Sequence, residues 1–116
     1  MSTFTRSLIV VTAVLLPAFA ADAQTIAGIV RDESGAVIPG VMVEAASPAL
    51  IEKVRAATTD TGGQYRIVSL SPGMYTVTFT LPGFNTVRRE GVELTGNFTA
   101  TVNGDLRVGS IEETIT

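Results

Sequence analysis

The chain has 116 residues, 46% of them hydrophobic, with 8 basic and 11 acidic side chains, a net charge of −3, and neither cysteine, histidine nor tryptophan. Without His or Cys it can assemble no Ser-His-Asp triad, no Cys-His pair and no ordinary zinc site. Its charges are scattered, so no basic patch points to nucleic acid or anionic lipid, and with no disulfide available the fold must be held by side-chain packing alone.

Residues 1–23 read as an export leader, a signal-peptide helix. Met1 to Arg6 carries one positive charge, Leu8 to Ala21 is an apolar run of 14 residues, and Ala21-Asp22-Ala23 places small residues where a signal peptidase inspects the chain. Cleavage is expected after Ala23, in a bacterial style of site. The apolar run is shorter than the ~20 residues a membrane-crossing helix needs, and Pro17 interrupts it. What remains, residues 24–116, suffices for one compact domain and not for two. Arg6 and Asp22 leave with the leader, one charge of each sign, so the net charge stays at −3.

Period-two alternation predicts the strands that follow. Ile26, Gly28 and Val30 share one face of the first. Val41, Val43 and Ala45 share a face of the second, with Met42 and Glu44 opposite. Ser47-Pro48 and the following ALIEKVRAA have the look of a helix start, but Thr58 and Thr59 are poor helix formers. A loop through Lys53, with a single helical turn near Leu50, and a strand from Val54 are expected instead. Gly62-Gly63 then predicts a hairpin between Val54–Thr59 and Gln64–Leu70. Tyr75, Val77 and Phe79 alternate with Thr76, Thr78 and Thr80, as in a half-solvated antiparallel strand. Phe98, Ala100 and Val102 alternate with Thr99, Thr101 and Asn103.

Turn chemistry punctuates these runs. Pro39-Gly40, Pro72-Gly73 and Pro82-Gly83 each set a fixed φ before a residue that accepts positive φ, the combination of a type II turn. About seven strands at this spacing predict an all-β sandwich.

The order of elements carries a resemblance. Ile26 to Asp32, Ser34-Gly35-Ala36, Ile38-Pro39-Gly40-Val41-x-Val43, Thr59-Asp60-x-x-Gly63-x-Tyr65-x-Ile67, Leu70-x-Pro72-Gly73-x-Tyr75-x-Val77 and Pro82-Gly83-Phe84 together resemble the carboxypeptidase regulatory-like domain. The match runs from about Thr25 to Leu94, and the specificity lies in the order and spacing of weak elements. The resemblance implies a seven-stranded antiparallel Greek-key β-sandwich, transthyretin- or prealbumin-like, over residues 24–104. In it Gly28 would sit where two strands approach closely, and the Asp60 carboxylate would bond backbone amides in the turn that leads to Gly63. Pro72 and Gly73 would build the next turn. Tyr65, Tyr75, Phe79 and Phe84 would be core aromatics, the two tyrosines with hydroxyls at the rim.

Such domains occur at the N-terminus of TonB-dependent outer-membrane receptors, after a signal peptide and before a plug and a barrel. Residues 105–116 resemble the segment joining sandwich to plug, and Glu113-Thr114-Ile115-Thr116 is similar to the start of a TonB box. Such a box works by β-augmentation, an extended segment adding as a strand to the edge of a periplasmic partner. A last edge strand of the sandwich is the structural alternative for these residues. The resemblance thus implies an exported, periplasmic or outer-membrane-associated spacer or interaction module. Its partner is a protein, either the receptor's own plug and barrel or a periplasmic energiser, and the mature domain itself does not insert in a membrane.

Catalysis is not expected, and neither is a cofactor or a metal. The carboxylate pairs Asp32-Glu33, Glu90 with Glu93, and Glu112-Glu113 are flanked by turn or surface residues, whereas glycosidase chemistry needs two carboxyls facing each other roughly 5–10 Å apart across a cleft. Calcium at Asp32 and Asp60 lacks any repeated Asp-x-Asp pattern. Asn97-Phe98-Thr99 matches a glycosylation acceptor by chance, inside a strand pattern. The alternative function is a carbohydrate-binding module with a starch-binding-like fold. It needs exposed aromatic rings, so the accessibility of Tyr65 and Tyr75 separates the two readings.

Overall fold

The structure, a computed structural model, describes residues 24–48, 50, 54–96, 99–109 and 111–116. Residues 1–23, where a leader and its cleavage are expected, lie outside the described residues, as do Asn97 and Phe98. The strands in sequence order are β1 (Gln24–Asp32), β2 (Met42–Ala46), β3 (Val54–Thr58), β4 (Gln64–Leu70), β5 (Gly73–Thr80), β6 (Thr86–Leu94), β7 (Thr99–Thr101), β8 (Gly104–Leu106) and β9 (Glu112–Ile115). They form two sheets: β4-β1-β7, with β8 also paired to β1, and β3-β2-β5-β6-β9. The protein is therefore an all-β sandwich.

Alternation explains which faces meet. Ile26 and Val30 of β1, Val43 and Ala45 of β2, Tyr65 and Ile67 of β4, and Tyr75, Val77 and Phe79 of β5 all enter one buried cluster. Burial of each such aliphatic or aromatic group contributes about 1.5–3 kcal/mol. Tyr65 and Phe79 meet edge to face across the two sheets, with ring centroids 5.7 Å apart and planes at 79°. On the other face of β2 and β5, Met42 and Thr80 stay exposed.

Three features differ from the expectation. The Gly62-Gly63 turn is real, but β3 and β4 are not a hairpin: β3 pairs with β2, and β4 pairs with β1. The turn carries the backbone from one sheet to the other. Val30 N donates to Gly63 O at 2.8 Å, which pins the corner to the middle of β1. A Gly-Gly signal specifies a reversal without specifying which sheet the next strand joins.

The last strand of the sandwich is broken into β7 and β8, and both run parallel to β1. The expected seven segments thus correspond to β1–β6 and this interrupted strand, with β9 added from the tail. The break has a local cause. Asn103 Oδ1 takes the Ile29 amide at 2.9 Å, replacing a backbone acceptor. Gly28 lies so close that a Cβ there would be driven into the Val102 carbonyl, its carbon only 2.8 Å away.

The Pro-Gly turns are not all alike. Pro82-Gly83 has Gly83 at φ 86° and the closing bond from Phe84 N to Leu81 O at 3.0 Å, as a type II turn requires. At Pro39-Gly40 the closing bond is replaced by the Thr59 hydroxyl, which accepts from Val41 N at 2.9 Å and donates to Ile38 O at 2.8 Å. Gly73 already belongs to β5, with φ 152°. Finally, Leu50 N bonds Ser47 O at 3.1 Å, the single turn expected there, and β3 begins at Val54.

Two bulges shape the sheets. One residue too many on β4 shifts the register against β1 near Ser69, the sole non-glycine at positive φ (59°) among the described residues. Another on β6 falls by Gly91 (φ 73°), opposite Tyr75–Val77. Such bulges sharpen the twist and curl a sheet over its partner.

Candidate functional site

The aromatic residues come first, because they decide between protein and sugar as partner. Tyr65 is 4% exposed and Tyr75 1% exposed, Phe79 is fully buried, and Phe84 is half-buried against the core. The Tyr65 hydroxyl donates to Val102 O in the opposite part of its own sheet, and the Tyr75 hydroxyl donates to Ser71 O at 2.6 Å, across the Pro72-Gly73 turn. Burial pushes both phenols above their ordinary value. Arg89 opposes the shift at Tyr65, and the Ser71 bond and Arg55 oppose it at Tyr75. Among the described residues no ring is presented to solvent as a platform for a sugar.

An open groove of about 720 Å³ runs beside β1 and β4, lined by Ala27, Gln64, Arg66, Thr101, Asn103 and Asp60 among others. Two of its polar groups are already engaged. Asp60 Oδ1 accepts from Gly62 N at 2.9 Å and Gln64 N at 3.0 Å, closing the corner whose Gly63 stands at φ 70°. Asn103 Oδ1 holds Ile29 N, and Asn103 O accepts from Arg89 Nη1 at 2.7 Å, a tie between the two sheets. These groups serve the fold.

The carboxylates are dispersed. Asp32 Oδ1 accepts from the Ser34 hydroxyl at 2.5 Å, Ser34 N at 2.8 Å and Ala36 N at 3.2 Å, and the Ser34 hydroxyl above all holds this carboxyl below its usual range. Glu90 and Glu112 both approach Arg88, at 3.6 and 3.3 Å. Glu93 stands opposite Met74 in the β5/β6 register. No group of three acidic residues able to hold a metal ion occurs among the described residues.

The tail is the remaining candidate. Glu112–Ile115 form β9, in parallel register with β6 from Thr86↔Glu112 to Arg89↔Ile115. The arrangement is the edge-strand alternative for the residues resembling a TonB box; Thr116 follows just beyond the strand. Three residues seat it. Thr86 N donates to Ile111 O at 3.1 Å, Arg88 Nη1 meets Glu112 Oε1 at 3.3 Å, and the Asn85 side chain takes Ile111 N at 3.1 Å and gives to Glu113 Oε1 at 3.3 Å. Asn85 is 5% exposed, and its own amide donates to Arg107 O at 2.7 Å. Sequence reading missed Asn85, since a single Asn after Pro-Gly-Phe looks like ordinary turn chemistry. β9 is last in its sheet's order, so its outer edge carries no strand among the described residues. Ile111, just before it, and Ile115, at its end, are exposed.

Comparison with known proteins gives this geometry its context. Residues 25–107 match the carboxypeptidase regulatory-like domain. The chain is 38% identical over 110 residues to the TonB-dependent transporter Oar of Myxococcus xanthus, covering 92% of this chain and 10% of that protein. It therefore spans about a tenth of the curated relative it matches. A protein in a type II cohesin–X–dockerin complex from Acetivibrio cellulolyticus shares the fold, with a TM-score of 0.61 and 21% identity over 76% of this chain and 60% of that one. A 3-chlorocatechol 1,2-dioxygenase from Rhodococcus opacus does so at 0.57 and 11%, over 78% and 61%. At such identities these structures show the sandwich alone, so the dioxygenase lends no activity. The family is described as a regulatory-like domain and the Myxococcus relative as a transporter, neither of them as a catalytic unit. The family match over 25–107 and the identity across most of the length together place the chain in the carboxypeptidase regulatory-like domain family.

Proposed function

We propose that this chain is a non-catalytic, exported β-sandwich module at the N-terminus of a TonB-dependent outer-membrane receptor. Residues 1–23 direct export and are cleaved after Ala23. Residues 24–104 form the spacer sandwich. Residues 105–116 lead toward the plug and present Glu113–Thr116 to a periplasmic energising protein. The observation that carries the reading is β9, a β-branched strand at the end of its sheet with its outer edge open. An open edge lets a partner strand add through main-chain bonds, and exposed Glu112, Thr114 and Ile115 cost the contact no core residue.

Identity to a transporter supports this context. The family's name does not bring peptidase activity with it, because the match covers an accessory domain whose residues include no His or Cys to bind a catalytic zinc. The alternative carbohydrate-binding reading is disfavoured by Tyr65 and Tyr75, which are buried and offer no stacking surface among the described residues.

The test is an NMR titration of the protein with the C-terminal periplasmic domain of a TonB-type energiser from the same organism. Amide shifts confined to Glu112–Thr116 and to β6 are expected, and Thr114→Pro should abolish them by removing a ladder donor. Shifts elsewhere, or none at saturating partner, would sink the proposal.

A further inference from the structure

Gln24 heads β1, opposite Leu70. It is 0% exposed, and both its carboxamide atoms, Oε1 and Nε2, are buried with no hydrogen-bond partner. A carboxamide offers two acceptor lone pairs and two donors, so here four bonding capacities have been withdrawn from water without replacement. Natural cores seldom tolerate that, and each such group calls for an explanation. Position supplies one. Cleavage after Ala23, as proposed above, makes Gln24 the first residue of the mature protein and puts a cationic α-ammonium on this same buried residue, where a charge is still less welcome.

We propose that Gln24 is a modification site and closes to N-terminal pyroglutamate. The α-amine, with an ordinary pKa of about 7.7–8.0, is partly neutral near pH 7. Its lone pair attacks Cδ of its own side chain. The Nα–Cδ bond forms, the Cδ–Nε2 bond breaks, and Nε2 leaves as ammonia with the proton given up by the α-nitrogen. The step is redox-neutral and needs no co-reactant. A neutral five-membered lactam replaces the ammonium and the orphaned amide, keeping a single N–H and a single ring carbonyl. Closure precedes docking of β1, because folding buries the residue. The first turn of the central strand is then uncharged, matching the apolar surroundings of its neighbours Ile26 and Leu70, which are 0% and 1% exposed.

The test uses the full-length protein, leader included, expressed in an exporting bacterial host and recovered from the cell envelope. Intact mass and fragment spectra should show a product that begins at residue 24, is lighter by one ammonia than unmodified 24–116, and is inert to amine-reactive reagents at its terminus. A folded product that begins at Gln24 with a free amine overturns the inference and leaves the export reading standing. A product that begins elsewhere, or retains Met1, overturns both. Residues 24–116 with a free α-amine, aged unfolded in denaturant for increasing times and then refolded, provide the second measurement, with Tm expected to rise in step with ammonia loss. Tm indifferent to ring closure overturns the inference. Gln24→Asn, whose side chain is too short for the five-membered ring, should keep its amine on ageing and show no such rise.

Discussion

Asn85→Ala tests whether β9 is held as the structure implies. The variant removes the bond from Ile111 N at 3.1 Å and the longer one to Glu113 Oε1 at 3.3 Å, while the Asn85 amide keeps its bond to Arg107 O. Ile111 is 65% exposed, so water satisfies its freed amide and no desolvation penalty is added. A net intramolecular bond contributes about 0.5–1.5 kcal/mol, so the pair together amounts to roughly 1–2.5 kcal/mol, the longer bond counting least. At 1.4 kcal/mol per factor of ten, opening of β9 becomes roughly 5- to 60-fold more favourable. Hydrogen exchange read by NMR at the β9 amides that face β6, those of Glu113 and Ile115, reports this opening directly. In the wild type these amides should be protected, but less than that of Val77 in the core. In the variant their protection should fall by that factor. Unchanged protection at Glu113 and Ile115, or none in the wild type, would refute the seating of β9 by Asn85.

Tyr75→Ala should destabilise the sandwich by about 3–5 kcal/mol through loss of a buried ring, and Tyr75→Phe by about 1 kcal/mol through loss of the bond to Ser71 O. Denaturant midpoints at constant m-value check both, and equal midpoints for wild type and Tyr75→Ala would contradict the core assignment. Gly28→Val should cost at least about 2 kcal/mol by forcing β1 away from Val102, seen as a collapsed Tm. Alkaline pH offers a further check. Burial raises the Tyr65 and Tyr75 phenols above the ordinary 10.0, so the folded state favours the neutral forms. That contribution is complete below the unfolded value and is lost as pH rises through the folded ones. Phenolate absorbance should therefore appear only above pH 10 and together with unfolding. Ionisation at the ordinary value in a still-folded protein would contradict the buried hydroxyls.

Much of the architecture was legible because local rules and tertiary demands agree. Alternation in Tyr75–Thr80 assigned the buried face, and the resemblance assigned Asp60 to the Gly63 turn, where its carboxylate takes two amides. The tail was legible as β-prone and no further. Its residues are mostly exposed, so nothing in their pattern reports a partner, and the residue that seats them lies far back in the sequence at Asn85. Gln24 was equally silent, since a polar residue at the start of a strand carries no mark of burial.

The sequence by itself determined that the domain is all-β, where most strands run, which faces turn inward, and where the backbone must reverse. These follow from period-two alternation and from φ preferences, both properties of neighbouring residues. Only tertiary structure decided that β3 and β4 belong to different sheets, that β7 and β8 run parallel to β1, and that β9 closes onto β6. Strand partners are chosen by the summed burial and hydrogen bonding of segments far apart in the sequence, and a turn residue constrains the angle of the path without constraining its destination.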